Sequence, residues 1–105
     1  KFFEAVYSCT KTFRYPFIKK VLMMETISET ELAPALPEYA FMPNYFVDIS
    51  PYLKQKLNIM KLYKSEIGAH PFPRSMENIQ ALATSRGAMA GCQYAESFML
   101  LKEIN

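Results

Sequence analysis

The chain has 105 residues, 50% of them hydrophobic, and its 12 Lys and Arg against 10 Asp and Glu leave a formal charge of +2. That length allows one small domain, and an apolar fraction this high with charges of both signs excludes a disordered polymer. The weak positive balance gives no footing for nucleic acid or an anionic membrane, and no apolar run approaches the roughly 20 residues of a membrane span.

Phe2, Val6, Cys9 and Phe13 recur at helical spacing, which predicts an amphipathic helix over 2–14 stopped by Pro16. The chain begins within that pattern, with no initiator Met and no capping residue, so it reads as the C-terminal piece of something longer. Nothing at its start reads as a signal peptide. Residues 21–24 form a short apolar run between Lys20 and Glu25 and read as a buried strand. Residues 25–43 hold four acidic residues before Tyr39 and three prolines, Pro34, Pro37 and Pro43. This long irregular connection is of a kind that often covers a site.

Residues 44–50 alternate, with Tyr45, Val47 and Ile49 on one side and Phe46 and Asp48 on the other, and predict a strand. Ser50 and Pro51 supply a cap and a first-turn proline for a helix over about 51–66. Leu53, Leu57 and Met60 form its buried face, and Lys54, Lys56, Lys61 and Lys64 its wet one. The loop at 67–74 follows, where Pro71 and Pro73 hold His70 and Phe72 extended. Ser75 caps a helix over 76–90 that buries Met76, Ile79 and Ala83. Its stripe of Ala83, Gly87 and Ala90 permits close approach of another backbone. Residues 96–104 fit a last strand or a last helix, with strand favoured. Strands interleaved with helices indicate part of a layered α/β sheet.

Candidate chemistry is concentrated in 65–96. A catalytic zinc site needs three protein ligands, and the chain has one histidine and no C-x-x-C. There is no G-x-S-x-G elbow and no glycine-rich phosphate loop. His70 reads either as a loop histidine without a role or as a group presented rigidly by its prolines for proton transfer. Arg74 reads as a solvated or ion-paired arginine, or as an anion or sugar-hydroxyl contact beside a helix start. Arg86 is expected in an ion pair with Glu96 or Asp48, and Glu96, beside apolar residues, is expected to pair with an arginine. Cys9 and Cys92 read as buried free thiols of a reducing compartment rather than a disulfide.

Five segments together resemble the C-terminal part of the LmbE-like (PIG-L) family of metal-dependent N-acetylglucosamine deacetylases. They are E-T-I-S-E-T at 25–30, P-N-Y-F-V-D-I-S at 43–50, Y-K-S-E at 63–66, P-R-S at 73–75, and R-G-A-M-A-G with Y-A-E-S-F at 86–98. The resemblance implies a Rossmann-like fold. It also implies zinc held by two motifs, A-H-P-D-D and H-x-x-H, neither of which is in these residues. On this reading, 1–105 is a single partial domain, and the cut falls just after the last metal ligand. The whole protein would be a cytoplasmic oligomer that removes the N-acetyl group from an N-acetylglucosamine-containing substrate. His70 would serve as an accessory catalytic group and Arg74 as a substrate contact, with no metal ligand among residues 1–105. The chain alone would be inactive. A different reading of the same residues is a non-catalytic α/β module that binds a partner protein through its proline-rich loops.

Overall fold

The computed structural model describes residues 2–105. Its elements are α1 (Phe2–Ser8), β1 (Lys20–Met24), β2 (Tyr45–Asp48), α2 (Leu53–Met60), α3 (Met76–Ala90) and β3 (Ala95–Glu103), with single 3-10 turns at Pro37–Tyr39 and Ser50–Tyr52. β3 is the middle strand of a three-stranded sheet of order β1-β3-β2. Both neighbours run antiparallel to it, with Met24 and Tyr45 each opposite Phe98 and Asp48 opposite Ala95. A bulge interrupts the β1 ladder between Val21 and Leu22. The protein is thus mixed α/β, as expected. The expected Rossmann-like layering is not seen in this antiparallel sheet.

Two helices are shorter than their apolar spacing predicts. The helix expected over 2–14 ends at Ser8. There, the Ser8 hydroxyl donates to the Ala5 carbonyl and the Thr10 hydroxyl to the Tyr7 carbonyl, both at 2.7 Å. Side chains that bond back to nearby carbonyls compete with the helical ladder. The chain continues as turns closed by Lys11 and Tyr15 carbonyls. The helix expected over 51–66 opens as a 3-10 turn and is α-helical only over Leu53–Met60. Residues 61–66 are exposed, and a helix with no face to bury has little to hold it. Ser50 does not cap it. Its hydroxyl donates to Asp48 instead.

α3 matches its predicted bounds because both ends carry their own signals. Ser75 is fully buried and its hydroxyl accepts from the Asn78 amide at 3.0 Å. Gly91 closes the other end with φ of 77°, the left-handed conformation that suits glycine. We expect Ser75→Ala to cost about 1 kcal/mol, a typical cap. For a domain of this size, that lowers Tm by roughly 4–8 °C. Thermal unfolding followed by circular dichroism checks this, and an unchanged Tm contradicts it.

The core is small. Ile49, Leu53 and Ala83 form one cluster with Leu57 and Tyr94 packed against it, and Ile79 and Ala95 are also buried. Met60 and Met76, expected in the core, are half-buried, and Ala90 is exposed. β1 was expected to be a buried strand, yet its residues are at best half-buried and Met24 is 65% exposed. The accessible surface is 7732 Å², against about 6,000 Å² for a compact monomer of this mass. The radius of gyration is 15.6 Å, against about 13 Å. Phe13, Phe17 and Leu62 are each about three-quarters exposed. Among the described residues, no helix is long and apolar enough to cross a membrane.

Candidate functional site

The best-buried charges lie where β1 hands over to the long connection. Met24 pairs with Phe98, so the next residue, Glu25, arrives beside Ser97. The Ser97 hydroxyl donates to Glu25 Oε1 at 2.9 Å. From α3, Arg86 adds two parallel bonds, Nε to Oε1 at 3.1 Å and Nη2 to Oε2. Such a fork-on-fork pair is the strong form of an arginine–carboxylate contact. The side chains are only 18% and 12% exposed. Donation to Glu25 pushes the Arg86 guanidinium further up from its ordinary range, against the opposing effect of burial. Arg86 therefore is ion-paired, as its sequence context implied, but its partner is Glu25 rather than Glu96 or Asp48. Glu96 is 43% exposed and pairs with Lys56 at 3.0 Å, not with an arginine.

Glu25 was legible only as one acid in a loop. A carboxylate directly after an apolar strand was the available signal. Its partner lies 61 residues away, beyond the reach of local pattern.

Two further contacts join separated segments. Arg74 donates from Nη1 to Glu66 at 2.7 Å and from Nε to the Ile27 carbonyl at 3.2 Å. It ties the end of the α2 region to the loop after β1, which is its ion-paired reading. Asp48 accepts from the Ser50 amide at 2.9 Å and the Ser50 hydroxyl at 2.6 Å, and the Tyr94 amide donates to Ser50 at 3.2 Å. Those Ser50 donations hold the Asp48 carboxyl below its usual range. Partial burial, then the Asp48 charge, pushes the Cys92 thiol up, which works against a reactive thiolate. Both cysteines are free, but neither is buried as expected: Cys9, just after α1, is exposed and Cys92 is half-buried.

His70 is exposed on the loop before α3. Its peptide bond to Pro71 is cis, and the Phe72 amide donates to the Ala69 carbonyl while the Ser75 amide donates to the Phe72 carbonyl. The loop is thus two successive turns rather than the extended run expected. Among the described residues, no side-chain hydrogen bond or ion pair joins His70 to Arg74, to Glu66 or to the Glu25–Arg86 pair.

That pair and the 30–41 segment line an open cavity of about 600 Å³. Glu25, Glu31 and Arg86 are the charged residues of its lining, and Pro34, Leu36 and Pro37 are among the apolar ones. A smaller cavity of about 220 Å³ is lined by residues 24–27, by Lys56 and Met60 of α2, by Ile79 and Leu82 of α3, and by Arg74 and Glu96. No protein-family model, curated protein or solved structure matches this chain.

Proposed function

We propose that the chain forms the substrate-side and assembly part of an LmbE-like, zinc-dependent N-acetylglucosamine deacetylase. One observation carries the reading. The five segments that resemble the family, scattered from 25 to 98, bond to one another. Glu25 of the first meets Arg86 and Ser97 of the last. Ser50 of the second, held by Asp48, meets Tyr94 of the last. Glu66 of the third meets Arg74 of the fourth. The segments thus form one bonded unit rather than five separate matches.

Among the described residues, no three His, Cys, Asp or Glu side chains are grouped to hold a metal ion. The zinc that this reading calls for does not fit these residues and belongs elsewhere in the whole protein, so no chemical step is assigned to it here. What this chain supplies is scaffolding and polar contacts. The Glu25–Arg86–Ser97 network pins the start of the long connection against α3, so that the connection can serve as a wall. Arg74 commits Nη1 to Glu66 and Nε to the Ile27 carbonyl, which leaves Nη2 as its edge toward a substrate in this reading. His70, exposed and free of structural bonds among the described residues, is the accessory group in this reading. The antiparallel sheet takes the place of an edge on a larger, Rossmann-like layered sheet, an arrangement common in α/β proteins. The surplus apolar surface accords with a covering by further chain and by neighbouring subunits in a cytoplasmic oligomer.

Acetate release from N-acetylglucosamine conjugates by the complete polypeptide, with bound zinc measured in parallel, tests the proposal. A zinc-free protein, or a zinc-loaded one that releases no acetate, overturns it in favour of a non-catalytic interaction module. The exposed aromatic residues of α1 and of 13–17 are what favours that second reading. Within an active protein, His70→Ala is expected to lower kcat/KM with zinc content unchanged. An unaltered kcat/KM removes His70 from the site.

A further inference from the structure

Two exposed surfaces of the chain complement each other. The first is the arm formed by residues 2–19. Phe13 and Phe17 are about three-quarters exposed, and Phe3 and Val6 about half. Phe3 stacks on Tyr7 at 5.7 Å, Tyr15 meets Phe17 edge-on, and the Arg14 guanidinium lies 5.3 Å from the centre of the Phe13 ring. Lys11, Arg14 and Lys19 make no ion pair among the described residues, and Glu4 is the one acid of the stretch.

The second surface is the 29–41 segment. Leu32 is about two-thirds exposed, and Leu36 and Tyr39 about half. Pro34 and Pro37 stiffen the segment, and its backbone is extended at Leu36 and Ala40, on either side of the Pro37–Tyr39 turn. Glu29, Glu31 and Glu38 make no ion pair among the described residues, and no Lys or Arg lies between 29 and 41. Cations beside aromatic rings thus stand on one surface, and carboxylates beside prolines and leucines on the other. Extended proline-bearing segments dock on aromatic-lined surfaces, and opposite charges steer such a pair together.

Within one copy the two surfaces are kept apart. The arm enters β1 at Lys20, where Lys102 holds it by a 2.7 Å bond to the Thr10 carbonyl. The segment departs beyond Met24, at the other end of β1. Among the described residues, no hydrogen bond or ion pair joins arm and segment. Pairing arm to arm would set like charges against each other.

We infer that the partner of both surfaces is a second copy of this chain: the basic, aromatic arm of one copy takes the acidic 29–41 segment of the next, head to tail. Such a contact repeats from copy to copy and builds a ring or a filament. The surface of 7732 Å² exceeds the about 6,000 Å² of a compact monomer by roughly twice the about 800 Å² that a standard contact takes from each partner. That surplus suits one contact at each end. The inference rests on the oligomer of the deacetylase reading, but its readout is mass rather than acetate release, so the two can fail separately.

Sedimentation equilibrium of the complete polypeptide tests it. The unmodified protein is expected above the mass of one copy, with association roughly tenfold weaker when salt rises from about 0.05 M to about 0.5 M. Phe13→Ser with Phe17→Ser, and Glu29→Lys with Glu38→Lys, all at exposed positions, should each weaken association at least about tenfold. Mixed together, the two double variants retain one intact arm and one intact segment between them, so they should form a species of two copies and stop there. Lys61→Gln with Lys64→Gln removes an exposed basic pair beyond α2 and should change nothing. A synthetic peptide of residues 29–41 should dissociate the unmodified protein, a readout that needs no variant to fold. A protein of one-copy mass, or an oligomer indifferent to both arm and segment variants and to the peptide, overturns the inference. So do variants that each lose association without regaining it on mixing, the mark of like surfaces pairing, and a loss at Lys61 and Lys64 in place of the arm.

Discussion

Arg86→Met is expected to lower the free energy of unfolding by about 3–5 kcal/mol, the cost of leaving a buried charge without its partner. The buried charge is Glu25, whose side chain is 12% exposed. Ser97 would remain its only donor, where three bonds now converge. The loss should change little with salt, because ions screen a buried pair far less than a surface one. Removing the network as a whole has a different outcome. A triple variant, Glu25→Leu, Arg86→Met and Ser97→Ala, should recover most of the loss, since apolar replacements of similar volume avoid the desolvation that the pair must offset. Urea unfolding of the two variants decides the matter. A single-variant loss below about 1 kcal/mol would place this pair with ordinary surface bridges. For contrast, Lys56 and Glu96 make a bridge of 3.0 Å with side chains 34% and 43% exposed, and its removal should barely register.

Gly87→Ala is expected to cost about 2–3 kcal/mol, the upper part of the range for overpacking a tight site. A Cβ at Gly87 would stand 2.5 Å from the Gln93 carbonyl oxygen and 2.7 Å from that of Cys92. Both obstacles are backbone, so no rotamer change relieves them. The turn carrying them leads directly into β3, and displacing it disturbs the register in which Ala95 faces Asp48. Gly91→Ala provides the control. Its Cβ would meet nothing within 4 Å, but its φ of 77° is strained for any other residue. That variant should cost only about 1–2 kcal/mol, through the backbone alone. Equal losses at both glycines would argue against the steric account of Gly87.

The small-residue stripe on the 76–90 helix thus announced a close backbone approach, and the structure supplies it within the chain itself. Only its first two members are used. Ala83 and Gly87 are buried, and Ala90 is exposed because the helix ends there and the chain turns away. The bounds of α3 were legible for a local reason, since Ser75 and Gly91 each mark an end by their own chemistry. α1 and α2 were overestimated for a complementary reason. Apolar spacing states which face could be buried, but a helix persists only as far as something is there to bury it.

The same division runs through the candidate site. Arg86 could be recognised as an ion-paired arginine from its surroundings, and Arg74 as either paired or free. The identities of their partners, Glu25 and Glu66, could not be read in the same way. Pairing at 61 residues' separation depends on the antiparallel return of β3 beside β1, which sets Glu25 against Ser97 and under α3.

By itself, the sequence determined the N-cap and length of the long helix, the first two strands and the residue types able to do chemistry. These properties depend on neighbours within a few positions, where capping, alternation and proline restriction act. The tertiary structure alone decided the middle position of β3, the Glu25–Arg86–Ser97 network, the cavity lined by its charged pair and the exposure of His70. Each of these requires residues distant in the chain to meet, and contact across such distances is set by packing, not by local conformational preference.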